Sequence, residues 1–194
     1  MNRPFGTARE PFHPAVMAAC KFAVPDSVPV MVPCRPENHC EPDQCHRNAQ
    51  RMVDCHGGSV QLGRSIRVTE WVAVWLELHS VWLHPSQRLL CTTPPPYDDQ
   101  DMIAFLPDPS PMGIHPPDWP SIYHPWDDSR DCLECVELLR AIDRLYFQKG
   151  EPFHRKPHPR TDREHRLKAR LGMIASRHRK RMKSNEQGEP RNPH

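Results

Sequence analysis

The stretch Glu70-Trp71-Val72-Ala73-Val74-Trp75-Leu76-Glu77-Leu78-His79-Ser80-Val81-Trp82-Leu83 decides the fold. It is rich in valine and tryptophan, residues that suit a pleated, half-buried surface. Side chains alternate across a strand, so Trp71, Ala73, Trp75, Glu77 and His79 share one face, and Val72, Val74, Leu76 and Leu78 share the other. Pro85-Ser86-Gln87 turns the chain into a hairpin partner at Arg88–Thr92, which Pro94-Pro95-Pro96 stops. Met102–Leu106 adds a short strand, and on the N-terminal side Ser59–Leu62 and Arg64–Thr69 read as two strands around Gly63 or as one bent strand with a bulge.

Ahead of this sheet, Asp43 reads as a helix N-cap. Cys45, Ala49, Met52 and Val53 then fall on one helical face, and Gly57-Gly58 ends the helix. Upstream, Pro4, Pro11, Pro14, Pro25, Pro29, Pro33, Pro36 and Pro42 forbid a long helix, leaving Val24–Val32 as a candidate edge strand. Downstream, the proline-rich stretch to Asp128 holds Trp119, Tyr123 and Trp126, and reads as extended chain over the core. Asp131–Phe147 is an amphipathic helix with Cys135, Leu138, Leu139, Ile142, Leu145 and Tyr146 along one side. Arg163–Met182 is a second, basic helix with a thin apolar stripe at Leu167, Leu171 and Ile174.

The expected fold is therefore α+β: a cysteine-bearing helix packed on a small twisted antiparallel sheet, followed by C-terminal helices. The expected divisions are an irregular arm at 1–21, a core domain at 22–110, a proline-rich linker at 111–130, an amphipathic helix at 131–150, and a basic helix with its tail at 151–194. A chain of 194 residues suits one domain of ordinary size, but 24 prolines and a hydrophobic fraction of 37% reduce the well-packed part. About 100 residues are expected in the core.

A formal net charge of +2 gives no whole-molecule field for a polyanion. The charge is unevenly spread, however, with lysine and arginine greatly outnumbering Asp162 and Glu164 between Arg155 and Lys183. Arg177, Arg179, Lys180, Arg181 and Lys183 are dense enough for weak, nonspecific phosphate contacts with nucleic acid. No base-reading motif accompanies them, and a solvated helix face is the competing reading. No run approaches a membrane span, and Ala15–Val24 is too short, with Cys20 and Lys21 inside it, to read as a signal peptide. The expectation is a reducing cytoplasm, in which the eight cysteines are free, catalytic or metal-bound.

Cys45 and His79 carry the chemistry. The start of a helix offers partial positive charge and free N–H groups that favour a thiolate. A histidine on an adjoining strand can take the thiol proton and later protonate a leaving group, while Gln44 or nearby backbone N–H groups stabilise an oxyanion. On spacing alone the favoured reading is the plainer one, Cys45 as a small residue on a buried helix face and His79 as a hydrogen-bonded core histidine. There is no phosphate-cradling glycine loop and no Gly-x-Ser-x-Gly elbow, and no cofactor is expected.

Cys45 with Asn48, Gly57-Gly58, Gly63, His79 with Val81 and Trp82, Thr93-Pro94, and Phe105-Leu106-Pro107-Asp108 form a pattern over Gln44–Pro109. It resembles a family of bacterial and phage proteins sharing Cys-x-x-Asn, Gly-Gly, His-x-Val-Trp, Thr-Pro and Phe-Leu-Pro-Asp. The order of helix cysteine, strand histidine and next-strand acid is similar to that of papain-like and transglutaminase-like enzymes, an analogy of layout. It implies a cysteine-dependent hydrolase or acyl transferase acting on an amide or thioester bond of a protein or small acyl substrate. The family pattern has an aspartate two residues before the threonine of Thr-Pro, where this chain has Cys91. A thiol cannot supply a carboxylate's charge, so Asp98, Asp99 or a backbone carbonyl replaces it or catalysis is weakened. The rival is a non-enzymatic binding protein with a degenerate site and a basic helix that contacts nucleic acid or a protein.

Metal binding competes with both readings. Cys132-x-x-Cys135 has zinc-ligand spacing, which His124 or His154 would complete, but a single pair is weak and Cys135 lies on the apolar stripe of its helix. Cys34, His39, Cys40, Cys45, His46, Cys55 and His56 cluster without the gaps of a common zinc module.

Overall fold

The computed structural model describes residues 6–7, 10–95, 101–108, 110, 121–147 and 162–188. Among these residues seven strands form one sheet: β1 (Gly6–Thr7), β2 (Val30–Pro33), β3 (Ser59–Thr69), β4 (Ala73–Leu83), β5 (Leu89–Leu90), β6 (Met102–Pro107) and β7 (Ile122–Pro125). The strand order is β2-β6-β3-β4-β5, with β1 on β3 and β7 on β4, and every strand pairing is antiparallel. The helices are α1 (Pro14–Ala23), α2 (Cys45–His56), α3 (Arg130–Phe147) and α4 (Asp162–Gly188). This is the expected α+β arrangement, with helices at its C-terminal end.

The β3–β4 hairpin is the spine, registered from Ser59 opposite Leu83 to Thr69 opposite Ala73. β3 runs unbroken through Gly63, so neither two strands nor a bulge is needed. A Cβ at Gly63 would collide with the Phe105 ring and the Leu106 carbonyl on β6, so glycine serves close approach. β4 starts at Ala73 because Val72 N–H donates to the Thr69 carbonyl (2.8 Å) and Trp71 sits at φ 57° in the turn. From Ala73 onward the alternation holds. Val74 and Leu76 pack with Ile66 and Leu106 beneath α1, whereas Ala73 and Trp75 pack with Tyr123, Leu139 and Ile174 beneath α3 and α4.

Three expectations change. The arm at 1–21 contains most of a ten-residue helix, α1, whose Ala15, Val16, Ala19 and Cys20 are buried. Pro14 occupies its first position, where the missing N–H costs nothing, and His13 Nδ1 accepts from Ala15 N–H at 3.2 Å. The prolines bracket this helix rather than forbid it. Second, α2 is capped by Gln44, while Asp43 lies outside at φ 60°. Third, the stretch expected as a linker contributes β7, which pairs with β4 from Ala73 to Leu76 and buries Tyr123. Trp119 and the proposed acid substitutes Asp98 and Asp99 fall outside the described residues.

α4 is packed rather than appended. Ile174, Ala175 and His178 are buried, and Leu167 and Leu171 lie partly buried against the same cluster. The thin stripe is wide enough because it meets the broad apolar face of α3, including Cys135, Val136 and Leu139.

Candidate active site

The residues of the sequence pattern meet one another in space. Asn48 Nδ2 donates to the Glu41 carbonyl (2.7 Å) and to Thr93 Oγ1 (3.5 Å), while its Oδ1 accepts from Glu41 N–H (3.0 Å). One buried amide thus ties the start of α2 to the incoming loop and to the Thr-Pro turn. Trp82 Nε1 donates to the Gly57 carbonyl (2.8 Å), fixing the other end of α2. Asp108, buried, accepts from Arg64 Nε at 3.0 Å. Phe105 lies over Gly63 and edge-on to His79, with ring centroids 6.4 Å apart. Much of the pattern is therefore scaffolding around one edge of β4.

That edge pairs with β7 through Leu76 and with β5 from Trp82, leaving Glu77–Val81 with no strand partner on that side among the described residues. The start of α2 covers this gap. The half-buried Cys45 thiol meets the backbone N–H and hydroxyl of Ser80 and the backbone N–H of His46. Burial nevertheless pushes the thiol above its ordinary 9.0, outweighing the Ser80 and His46 donors. His46 Nδ1 also reaches Ser80 Oγ, at 3.4 Å.

His79 is one residue earlier and, by alternation, projects to the other face from Ser80. Its Nε2 lies 3.3 Å from Cys91 Sγ. The side chain that touches the histidine is therefore a thiol. Burial lowers the His79 pKa to about 4; Glu77 opposes this shift and Arg67, ion-paired with Glu77 at 3.0 Å, adds to it. Cys91 in turn meets Cys34 across an isolated parallel bridge. The Cys34 hydrogen bond, then burial, raise Cys91 well above the ordinary thiol range, whereas donation from Cys91 lowers Cys34.

Cys45 and Ser80 thus lie beside His79 and Cys91, the Cys34–Cys91 bridge joins the β2 and β5 ends of the strand order, and a charge on Cys45 is close enough to raise Cys91. Among the described residues Cys45 and His79 are not hydrogen-bonded to each other. Gln44 is half-buried at the N-cap and makes no side-chain capping bond, so the nearest oxyanion donors are the Ser80 and His46 N–H groups. Ser80 carried no signal in the sequence beyond its neighbours, and Cys34 entered only as part of a cysteine–histidine cluster weighed for metal.

The Cys132–Cys135 pair is split by the fold. Cys135 lies in the apolar cluster, where burial pushes its thiol up to about 12, and His124 Nδ1 faces the Pro125 carbonyl at 2.8 Å. Cys132 instead faces His178 of α4, with Nε2 3.5 Å from Sγ. His154 lies outside the described residues.

Most of the basic side chains on α4 face protein groups. Arg177 and Arg181 are paired with Asp131, Arg179 donates to the Ala175 carbonyl (3.3 Å), and Lys183 lies 5.8 Å from the Trp71 ring centroid. All eight cysteines are free thiols. Among the described residues no helix is long and apolar enough to cross a membrane. No family model, curated protein or solved structure matches the chain.

Proposed function

We propose that the chain is a cysteine-dependent hydrolase or acyl transferase for an amide or thioester bond, with Cys45 as nucleophile and His79 as base. The observation that supports this reading is neighbourhood along one strand: Cys45 lies against Ser80, the adjacent His79 turns to the other face with its Nε2 3.3 Å from Cys91 in the acid position, and a Cys45 charge is near enough to raise Cys91. The Cys45 sulfur would attack a carbonyl carbon as its proton passes to His79, a transfer that requires side-chain rotation to bring the two groups from opposite faces of β4 within reach. The Ser80 and His46 N–H groups, rather than Gln44, support the developing oxyanion. The leaving amine or thiol takes the proton from His79, and water or an acceptor then cleaves the acyl-thioester.

The resting site is weak. Moving a proton from a thiol raised above its ordinary 9.0 to an imidazole lowered to about 4 is strongly uphill. The second reading, a binding protein with an idle site, draws its support from that gap. Phosphate contact would then rest chiefly on Lys180, with Arg177, Arg179, Arg181 and Lys183 drawn partly from their protein partners.

The test is acyl transfer from a small activated thioester, followed by mass spectrometry of the intact chain and its peptides. The hydrolase reading expects one acyl group on Cys45, absent in Cys45→Ala and slower by tenfold or more in His79→Ala. Acylation spread over exposed thiols such as Cys55, indifferent to His79, would favour the binding protein.

A further inference from the structure

Asp127, in the turn after β7, Cys132, in the first turn of α3, and His178, on α4, bring three ligand atoms within 4.8 Å of one another. The geometry points to a binding site for one zinc-class divalent ion held by these three side chains. Tetrahedral zinc with ordinary bond lengths places a sulfur and an imidazole nitrogen roughly 3.5 Å apart, and a nitrogen and a carboxylate oxygen roughly 3.3 Å apart. Here Cys132 Sγ to His178 Nε2 is 3.5 Å and His178 Nε2 to Asp127 Oδ2 is 3.8 Å. Ordinary side-chain adjustment closes the difference. A thiolate, an imidazole and a carboxylate together suit zinc better than magnesium or calcium, which take oxygen ligands.

The shell behind the ligands fits as well. A metal-binding histidine usually presents its other nitrogen to a carboxylate, which fixes the ring and its tautomer. His178 is 1% exposed, and its Nδ1 lies 3.7 Å from Asp131 Oδ2, a carboxylate held by Arg177. Arg181 Nη2 also approaches Nδ1, at 3.0 Å. With the ion on Nε2, the Nδ1 proton turns to Asp131 and Arg181 stays paired with that carboxylate. Loading releases the Cys132 thiol proton to solvent and leaves the metal three protein ligands. The partly exposed Asp127 side chain, at 37%, opens the fourth position to water.

The site would join α4 to the start of α3, across 46 residues of sequence between Cys132 and His178. Its ligands come from three elements, so no spacing motif announces it. Cys135, the expected second ligand, takes no part.

The experiment uses the full chain, stripped with a chelator under reducing conditions and titrated with zinc by calorimetry. Cobalt serves as a second probe, reporting thiolate ligation by its absorption. One equivalent should bind to the wild type and raise the melting temperature. Cys132→Ser should weaken binding at least tenfold and remove the cobalt–thiolate absorption, while Cys135→Ser and Cys45→Ser retain both. Asp127→Asn, in a partly exposed turn and compatible with folding, should also weaken binding at least tenfold. The proposal is overturned by a wild type that binds no metal, or by binding that survives both Cys132→Ser and Asp127→Asn.

Discussion

The edge of β4 and the start of α3 each press a histidine against a thiol, and they differ in what stands behind the ring. His79 meets Cys91 at 3.3 Å with no carboxylate bonded to it among the described residues, in a half-buried site framed by the sequence pattern. His178 meets Cys132 at 3.5 Å with Asp131 and Asp127 at 3.7 and 3.8 Å, fully buried and outside any pattern. The first site has scaffolding, and the carboxylate that acts on its ring, Glu77, is already paired with Arg67. The second has the charge but little access. A thiol next to a histidine is thus not a function in itself; the carboxylate behind the ring and the route to solvent decide between reaction and holding.

The comparison breaks most forcefully at Asp108. Removing its carboxylate takes from the buried Arg64 its 3.0 Å ion-pair partner, so Asp108→Ala should cost about 3–5 kcal/mol in urea unfolding. It should also change Cys45 labelling, because Arg64 is next to Gly63, which lies against the Phe105 ring beside His79. Next is Ile174→Ala, expected to cost about 2–4 kcal/mol because α4 is part of the core. Cys45 labelling should stay at the wild-type rate, separating the two regions. Loss of less than about 0.5 kcal/mol would return α4 to the status of an appendage.

A pH series sharpens the contrast. Asp143, buried near Tyr123, has its carboxyl pKa raised from 3.8 to about 6, chiefly by burial. The folded state therefore holds a proton that the unfolded chain releases, and this contribution, full below about pH 4, is lost as pH rises through 6. His79 acts oppositely: lowered from 6.5 to about 4, it contributes stability that is full above pH 6.5 and lost as pH falls through 4. The two slopes oppose each other between pH 4 and 6. Asp143→Asn should be stabilised by about 2–3 kcal/mol at pH 7 and become steadily more stable from pH 4 to 6. His79→Phe should show the reverse slope, and parallel profiles in the two variants would show that neither group titrates as its surroundings dictate. The smallest effect is at Asn48, where Asn48→Ala should cost about 1–3 kcal/mol by leaving backbone groups of Glu41 without their amide partner.

The sheet was legible because valine, tryptophan and period-2 alternation dominate Ala73–Leu83, and α3 because its apolar positions keep a helical period. α1 was hidden by reading each proline as a breaker, when Pro14 and Pro25 mark the ends of a helical segment and its exit. β7 was hidden because a four-residue strand in a proline-rich stretch has too few residues to show a period. At the site, Cys45, His79 and Cys91 could be ordered along the chain, and the His79–Cys91 contact follows that order. Ser80 was not foreseeable as the partner of Cys45, since the gap between β5 and β7 that exposes its N–H depends on strand pairing. Nor was His178: a histidine among arginines and lysines reads as part of a solvated face until α3 is laid against it.

The most direct test of a thiol-hydrolase layout whose acid position is held by a thiol is the iodoacetamide labelling rate of Cys45 at neutral pH in Cys91→Asp. A carboxylate at position 91 should raise the His79 pKa toward its ordinary value and let it draw the proton from Cys45. The expected result is labelling at least tenfold faster than in the wild type, with the gain abolished in Cys91→Asp combined with His79→Ala. An unchanged rate in a folded Cys91→Asp chain, or a gain that survives loss of His79, would contradict the account.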